Sequence, residues 1–238
     1  PDPADNEVAY ANLDGDTLAV TVDGGSTWLM ANGATSPSFA YACVPFRPAE
    51  ASVLIQGCEI PLDFAWVAAR RVVVGSPWQL PDFRYLYAFT DDEELANRRI
   101  NSIAAPANRD DRLFVGVEGG LVRLTSTSGD WTGRTDVDAD WLFRSEGGED
   151  DTPYAYIRAL AVLDGDGRHI LFGGPLSGDN EEPLLFETTN GGSTVWKHDP
   201  KLDFDDPRVE QALALSADEV LLVISEPGDQ DATSRREK

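Results

Sequence analysis

The segment Thr21-Val22-Asp23-Gly24-Gly25-Ser26-Thr27-Trp28, entered through the alternating run Thr17-Leu18-Ala19-Val20, constrains this chain more than any other stretch. It predicts a strand, a tight turn and the start of a second strand. Gly24 and Gly25 supply turn positions with φ > 0, which residues carrying a Cβ adopt only with strain. Asp23 offers a short carboxylate to the N–H groups of its own turn. Trp28 is expected to return into the layer below and bury its ring. The pattern recurs at Thr188-Thr189-Asn190-Gly191-Gly192-Ser193-Thr194-Val195-Trp196, with Asn in the acid position and one more residue before Trp. A worn copy reads Thr125-Ser126-Thr127-Ser128-Gly129-Asp130-Trp131, where Thr127 stands for the acid.

The pattern S/T-x-D-x-G-x-T-W resembles the Asp box of BNR-repeat β-propellers, a group that includes sialidases, sortilin-type receptors, some xyloglucan hydrolases and photosystem assembly factors. The resemblance implies an all-β chain of four-stranded antiparallel blades, with each box as a rim turn away from the active face. It therefore implies structural roles for Thr21, Asp23, Gly25, Thr27 and Trp28, for Thr188, Asn190, Gly192, Thr194 and Trp196, and for Thr125, Gly129 and Trp131. Fold likeness alone does not carry activity.

An internal repeat agrees with that architecture. One unit has Phe64–Ala68 as inner strand, Arg71–Pro77 as central strand and Tyr85–Asp92 as the strand leading to a box at Thr90. A second runs through Ser102–Ala105, Arg112–Val117 and Gly120–Thr125, and a third through Ile157–Val162, His169–Pro175 and Pro183–Thr188. A fourth begins at Val209–Leu215 and Glu219–Ser225. The N-terminal unit starts on a central strand at Val8–Ala11, with a hairpin turn at Asp14-Gly15-Asp16 before Thr17. Short strands are expected at Phe39–Val44 and Ser52–Ile55, a small-residue connector over Ala31–Ser38, and at most a turn or two of helix over Asp91–Arg99. About four to five blades are expected. They form one propeller domain over residues 1–238, either a segment of a longer propeller or a small ring closed by its terminal strands. Residues 226–238 are expected to be a flexible loop or a truncated blade.

Composition narrows the partners. Forty-two acidic residues against 19 basic ones leave a net charge of −23, which disfavours nucleic acid and anionic membrane surfaces. No apolar run approaches the roughly 20 residues that span a bilayer, so direct membrane insertion is not expected. Cys43 and Cys58 are the two cysteines. Paired, they would close a short loop worth roughly 3 kcal/mol and point to an oxidising compartment: extracellular, cell-surface or periplasmic. Two free buried thiols are the other reading.

Several groups are candidates for chemistry. Were the chain a sialidase, the family's arginine clamp would have its nearest echo at Arg99-Ile100-Asn101, with Arg123 and Arg144 on later strands and Tyr154 or Tyr156 as the phenol. A two-carboxylate glycosidase could use Asp63, or Asp138 and Asp140 beside Trp141. Asp14 and Asp16, with Asp164 and Asp166, pair carboxylates in turns and are weak candidates for Ca²⁺, although a hairpin needs those turns in any case. No G-x-S-x-G is present, and His169 and His198 lie near turns. Trp78 and Trp141, near connectors, are the candidates for an exposed protein- or glycan-binding platform. The preferred reading is an extracytoplasmic binding or scaffold propeller without catalysis of its own. The alternatives are an Asp-box glycoside hydrolase, and a structural subunit or assembly factor of a larger surface complex.

Overall fold

The computed structural model describes residues 5–13, 17–35, 42–46, 53–60, 64–71, 76–77, 83–88, 99–127, 131, 137–145, 156–174, 184–198 and 208–225. The regular structure among them is entirely β, in five antiparallel sheets. The first holds β1 (Ala9–Leu13), β2 (Thr17–Thr21) and β3 (Leu29–Thr35). The second holds β4 (Ala42–Phe46), β5 (Val53–Ile60), β6 (Phe64–Arg71) and β7 (Phe83–Ala88). The third holds β8 (Ile100–Ala104), β9 (Arg112–Val117), β10 (Gly120–Ser126) and β11 (Val137–Arg144). The fourth holds β12 (Ala159–Val162), β13 (Ile170–Gly174), β14 (Leu184–Thr188) and β15 (Trp196–His198), and the fifth β16 (Arg208–Ala214) and β17 (Val220–Ser225). Each strand pairs with its neighbour in sequence, so each sheet is a meander.

The sheets pack in chain order: β1 on β4, β4 and β5 on β8, β8 on β12, and β12 with β13 on β16. The first strands of the four later sheets thus form the inner line. Alternation along the strands supplies both faces of each sheet. In the third sheet Leu113, Val115 and Val117 point into a cluster with Ile55 and Val67 of the second, while Phe114 and Leu121 join Phe172 and Phe186 of the fourth. Phe143 completes that second cluster, its ring 4.4 Å from Phe186 and 5.4 Å from Phe172. Inner strands are tied more directly. The Ser102 hydroxyl donates to the Ile157 carbonyl at 2.7 Å, inside the core. The backbone comes so close that a Cβ at Gly116 would strike Ser102 and Ile157, and one at Gly174 would strike the Tyr156 carbonyl.

Several expectations change in the fold. Phe64–Arg71 is the third strand of its sheet, not an inner one, because β4 and β5 around the cysteines belong to the same meander. β6 ends at Arg71, β7 is the outermost strand, and the box expected at Thr90 lies outside the described residues. The connector expected over Ala31–Ser38 is strand as far as Thr35, pairing with β2 across an irregularity that absorbs its small residues. The helical turns expected over Asp91–Arg99 fall on residues outside the description up to 98, as do residues 226–238. The units at Ser102, Ile157 and Val209 hold their predicted order, whereas β1, expected as a central strand, stands at the edge of its sheet among the described residues, with β2 in the middle.

Candidate functional site

Three places gather polar groups. The first is the repeated turn. Gly24 and Gly25 have φ of 66° and 93°, and Gly191 and Gly192 have 71° and 93°. The buried Thr21 hydroxyl donates to Asp23 Oδ1 at 2.8 Å and accepts the Gly25 N–H at 2.9 Å. Asp23 accepts the Thr27 N–H at 2.8 Å and the Thr27 hydroxyl at 2.6 Å. Those bonds hold the Asp23 carboxyl below the usual carboxylate range, with the Thr27 hydroxyl the largest cause. Thr188, Asn190, Gly192 and Thr194 build the same turn: Asn190 Oδ1 accepts the Thr194 N–H at 2.9 Å, while its Nδ2 donates to the Thr194 hydroxyl at 3.2 Å. Each turn is anchored to the segment that leads into the neighbouring strand, Gly24 N–H to the Glu7 carbonyl ahead of β1 and Gly191 N–H to the Arg168 carbonyl ahead of β13, both 2.9 Å. These groups satisfy one another within the turn and leave no chemistry over.

Two expectations about the turns need correction. Trp28 and Trp196 do not bury their rings; each is 45% exposed, and only Trp131, at 2%, is core. The turn leads onto the outermost strand of its sheet, where cover from a neighbouring sheet is thinnest. The extra residue Val195 also shifts the alternation, so that Val195 packs on the Phe172–Phe186 cluster and Trp196 stands opposite Glu187. In the worn copy the buried hydroxyl that ends the strand is Ser126, not Thr125, which is half-buried and paired with Asp138. Gly129 lies outside the described residues.

The second place is the end of the inner strands where β8 and β12 begin. The Glu118 N–H donates to the Arg99 carbonyl at 2.9 Å, and Glu118 forms a β-bridge with Tyr156. Burial, then the charge and hydrogen bond of Glu118, push the Tyr156 phenol up, against the smaller opposing pull of Arg99 and Arg158. Arg158 donates to Glu210 at 2.8 Å. Tyr156 and Arg99 were legible as candidates; Glu118, Arg158 and Glu210 were not, because only the packing of three sheets brings them together.

The third place is a groove of about 560 Å³ between the fourth sheet and the β16–β17 turn. Register sets Leu171 opposite Glu187 and Leu185 opposite His198, so these four share the face turned away from the phenylalanine cluster. His169, just before β13, reaches Glu187 Oε1 at 2.7 Å, and His198 reaches Oε2 at 2.7 Å. An ionised carboxylate only accepts, so each imidazole donates from Nε2. Burial pushes the Glu187 carboxyl up, but the bonds from His169 and His198 outweigh it and leave it below its ordinary range. Asp218 and Val220 close the groove from the fifth sheet. The sequence held one signal for this site: the turn fixes the β14–β15 register, which places His198 diagonal to Glu187.

The remaining candidates disperse. Arg123 and Asp140 are cross-strand partners at 2.8 Å on β10 and β11. Arg144 stacks on Trp141, 4.6 Å from the ring centroid, and Trp141 lies within β11, half-buried against the core, rather than on a connector. Asp138 sits on β11 opposite Thr125. Asp164 Oδ1 accepts the Arg168 N–H at 2.8 Å, closing its own turn, and Asp166 lends its carbonyl to Arg112. Among the described residues no cluster of His, Cys, Asp or Glu is arranged to hold a metal ion. Asp14, Asp16, Asp63, Trp78 and Tyr154 lie outside the description. Cys43 stands directly opposite Cys58 in the β4–β5 register; the side chains of both lie outside the described residues.

No family model and no curated protein matches the chain. Solved structures do. The GH74 enzyme of Niastella koreensis superposes with a TM-score of 0.56 at 13% identity, over 94% of this chain and 34% of that one. YCF48 from Cyanidioschyzon merolae superposes at 0.52 and 13% identity, over 92% of this chain and 64% of that one. A structure of YCF48 bound to D1 peptide matches at only 0.36, with 11% identity, and carries no argument. This chain therefore spans about a third of the first neighbour and under two thirds of the second. At such identity the likeness speaks for fold alone. With its four-stranded antiparallel meanders packed inner strand to inner strand, the chain has the β-propeller fold.

Proposed function

We propose that this chain is an Asp-box propeller of the BNR type, or a stretch of one, that binds a protein or glycan partner as an extracytoplasmic scaffold without catalysis of its own. The observation that carries this reading is the state of the inner-strand end. A sialidase-type site there would need free arginines beside its phenol to clamp an acidic substrate. Instead Arg158 is paired with Glu210 at 2.8 Å, and the Glu118 carboxylate stands against the Tyr156 phenol, where it would repel an acidic substrate. Such a surface offers oriented donors and acceptors, which suits recognition. The direct placement of Cys43 opposite Cys58 favours a disulfide, and with it an oxidising compartment.

A hydrolase is the second reading, favoured by the gathering of Arg99, Glu118, Tyr156 and Arg158 at one end of the inner strands. The two are separated with purified protein, nitrophenyl glycosides, xyloglucan and a glycan array. Hydrolysis is expected to stay at buffer background for the native protein and for Tyr156→Phe and Glu118→Gln alike. Turnover above background that either substitution abolishes would replace the scaffold reading with the hydrolase.

A further inference from the structure

Val195, the residue by which the second full box exceeds the first, turns Trp196 onto the groove side of the fourth sheet. Residues directly opposite on antiparallel strands share a face, their Cβ atoms about 4.5–5.5 Å apart. Leu171 on β13 stands opposite Glu187 on β14, and Glu187 opposite Trp196 on β15, so the three make one row across the sheet. Leu185 and His198 make the next row on the same face. The groove runs from these rows to Ala217 and Asp218 of the fifth sheet. Leu163, which lines it, follows β12, so the groove lies at the far end of that strand from Tyr156.

We propose that this groove binds a neutral sugar, one pyranose ring stacked on Trp196 and its hydroxyls held by His169, His198 and Asp218. The proposal rests on the reading of the chain as a binding module and gives that reading a site and a ligand class. Its volume of about 560 Å³ falls within the ~300–1,000 Å³ usual for small-molecule sites. Leu171 and Leu185 form an apolar wall, and the Trp196 ring stands at the rim beside Glu187, 45% exposed. The C–H bonds on one face of a pyranose carry slight positive charge and suit the negative face of an indole.

The polar groups of the groove mostly accept. Glu187 is committed to the two histidines, at 2.7 Å each, and takes no part in holding the sugar. Its effect is to fix their tautomers. With each Nε2–H donated to the carboxylate, each neutral imidazole keeps Nδ1 as an acceptor. Asp218 adds carboxylate oxygens from the opposite wall. A ligand that fits is rich in donors and has an apolar face, which describes a hydroxylated ring. An acidic sugar is disfavoured, because Glu187, Asp218 and a net charge of −23 repel it.

The probes are lactose, cellobiose and maltose, three neutral disaccharides, with sialyllactose as an acidic counterpart. Affinity is read by isothermal titration calorimetry, and location by the indole N–H signals of the six tryptophans in an isotope-labelled sample. At least one neutral disaccharide is expected to bind and to move chiefly the indole signal that Trp196→Leu removes. That substitution should weaken binding at least about tenfold with no change in thermal melting. Asp218→Ala should weaken it several-fold, whereas Asp218→Asn, which keeps an acceptor, should retain most of it. Sialyllactose should not bind, and added salt should leave the affinity for the neutral sugar unchanged. No binding of the three, movement of other indole signals alone, or full affinity in Trp196→Leu would overturn the proposal. Binding lost on adding salt, or in Asp218→Asn, would also overturn it and assign the groove to a cation. A sugar or protein bound elsewhere would leave the scaffold reading standing, and only glycoside turnover would remove that.

Discussion

Thr21 and Thr188 are the residues on which the turns depend. Each hydroxyl accepts two N–H groups and donates to the Asp or Asn beyond it, at positions 1% and 0% exposed. Thr188→Val keeps the shape and removes the acceptor, leaving the Asn190 and Gly192 amides short of a partner. A loss of about 1–3 kcal/mol is expected by urea denaturation, with Thr188→Ser recovering most of it. Asp23→Asn should be mild, because Asn190 already builds the same turn with an amide. Its signature is in pH. Asp23 and Glu187 titrate below their ordinary values of 3.8 and 4.5, so the unfolded chain takes up protons first as pH falls. Their contribution is complete above that range and is lost on acidification through the lower folded values. Asp23→Asn and Glu187→Gln should each flatten the acid limb of a stability–pH curve. An unchanged limb in both would show that other carboxylates govern acid unfolding.

At the scale of the strand, glycines divide by cause. Gly24 has open space around it and only its φ of 66° to satisfy, whereas Gly116 lies where a Cβ would strike Ser102 on β8 and Ile157 just ahead of β12 in the next sheet. Gly24→Ala should cost about 1 kcal/mol in backbone strain. Gly116→Ala should cost more, about 1–3 kcal/mol, because two sheets must part. The reverse order in chemical denaturation would mean that the inner strands yield more easily than their packing implies. The cysteines belong to this scale as well. Two residues directly opposite on antiparallel strands have Cα atoms roughly 4.5–5.5 Å apart, within disulfide range. Protein isolated without reductant should resist alkylation at Cys43 and Cys58, and reduction should lower stability by about 3 kcal/mol. Full alkylation of native protein would establish free thiols instead.

Across the whole molecule, charge and incomplete cover set the behaviour. With a net charge of −23, the compact state repels itself at low ionic strength. The melting temperature should rise between about 10 and 200 mM salt, as the Debye length contracts from ~30 Å to under 10 Å. A flat response would assign the charge to loops too far apart to interact. Apolar side chains meet solvent at both ends of the run of sheets, at Trp28, Leu29 and Met30 and again at Leu213, Leu215, Leu221 and Val223. Between them each sheet has a neighbour on either face, and Phe114, Phe172 and Val115 are fully buried.

Local and near-neighbour rules made much of this architecture readable in the residues. Two glycines after a short acid or amide, framed by threonines, can close in few ways, and the period of two in Ile170–Gly174 or Arg112–Val117 marks a strand whatever surrounds it. Hence the two full turns and most of the strands could be read directly. The place of Phe64–Arg71 within its sheet could not, because position in a meander depends on how many strands precede it and not on its own composition. The buried or exposed fate of Trp28, Trp131 and Trp196 was likewise undecided by motif, since it turns on which neighbouring sheet reaches the rim. Nor does any local pattern unite Arg99, Glu118, Tyr156, Arg158 and Glu210, or join His169 and His198 through Glu187. The first set meets only because successive sheets pack inner strand to inner strand, and the second only through the register of β13, β14 and β15 within one sheet.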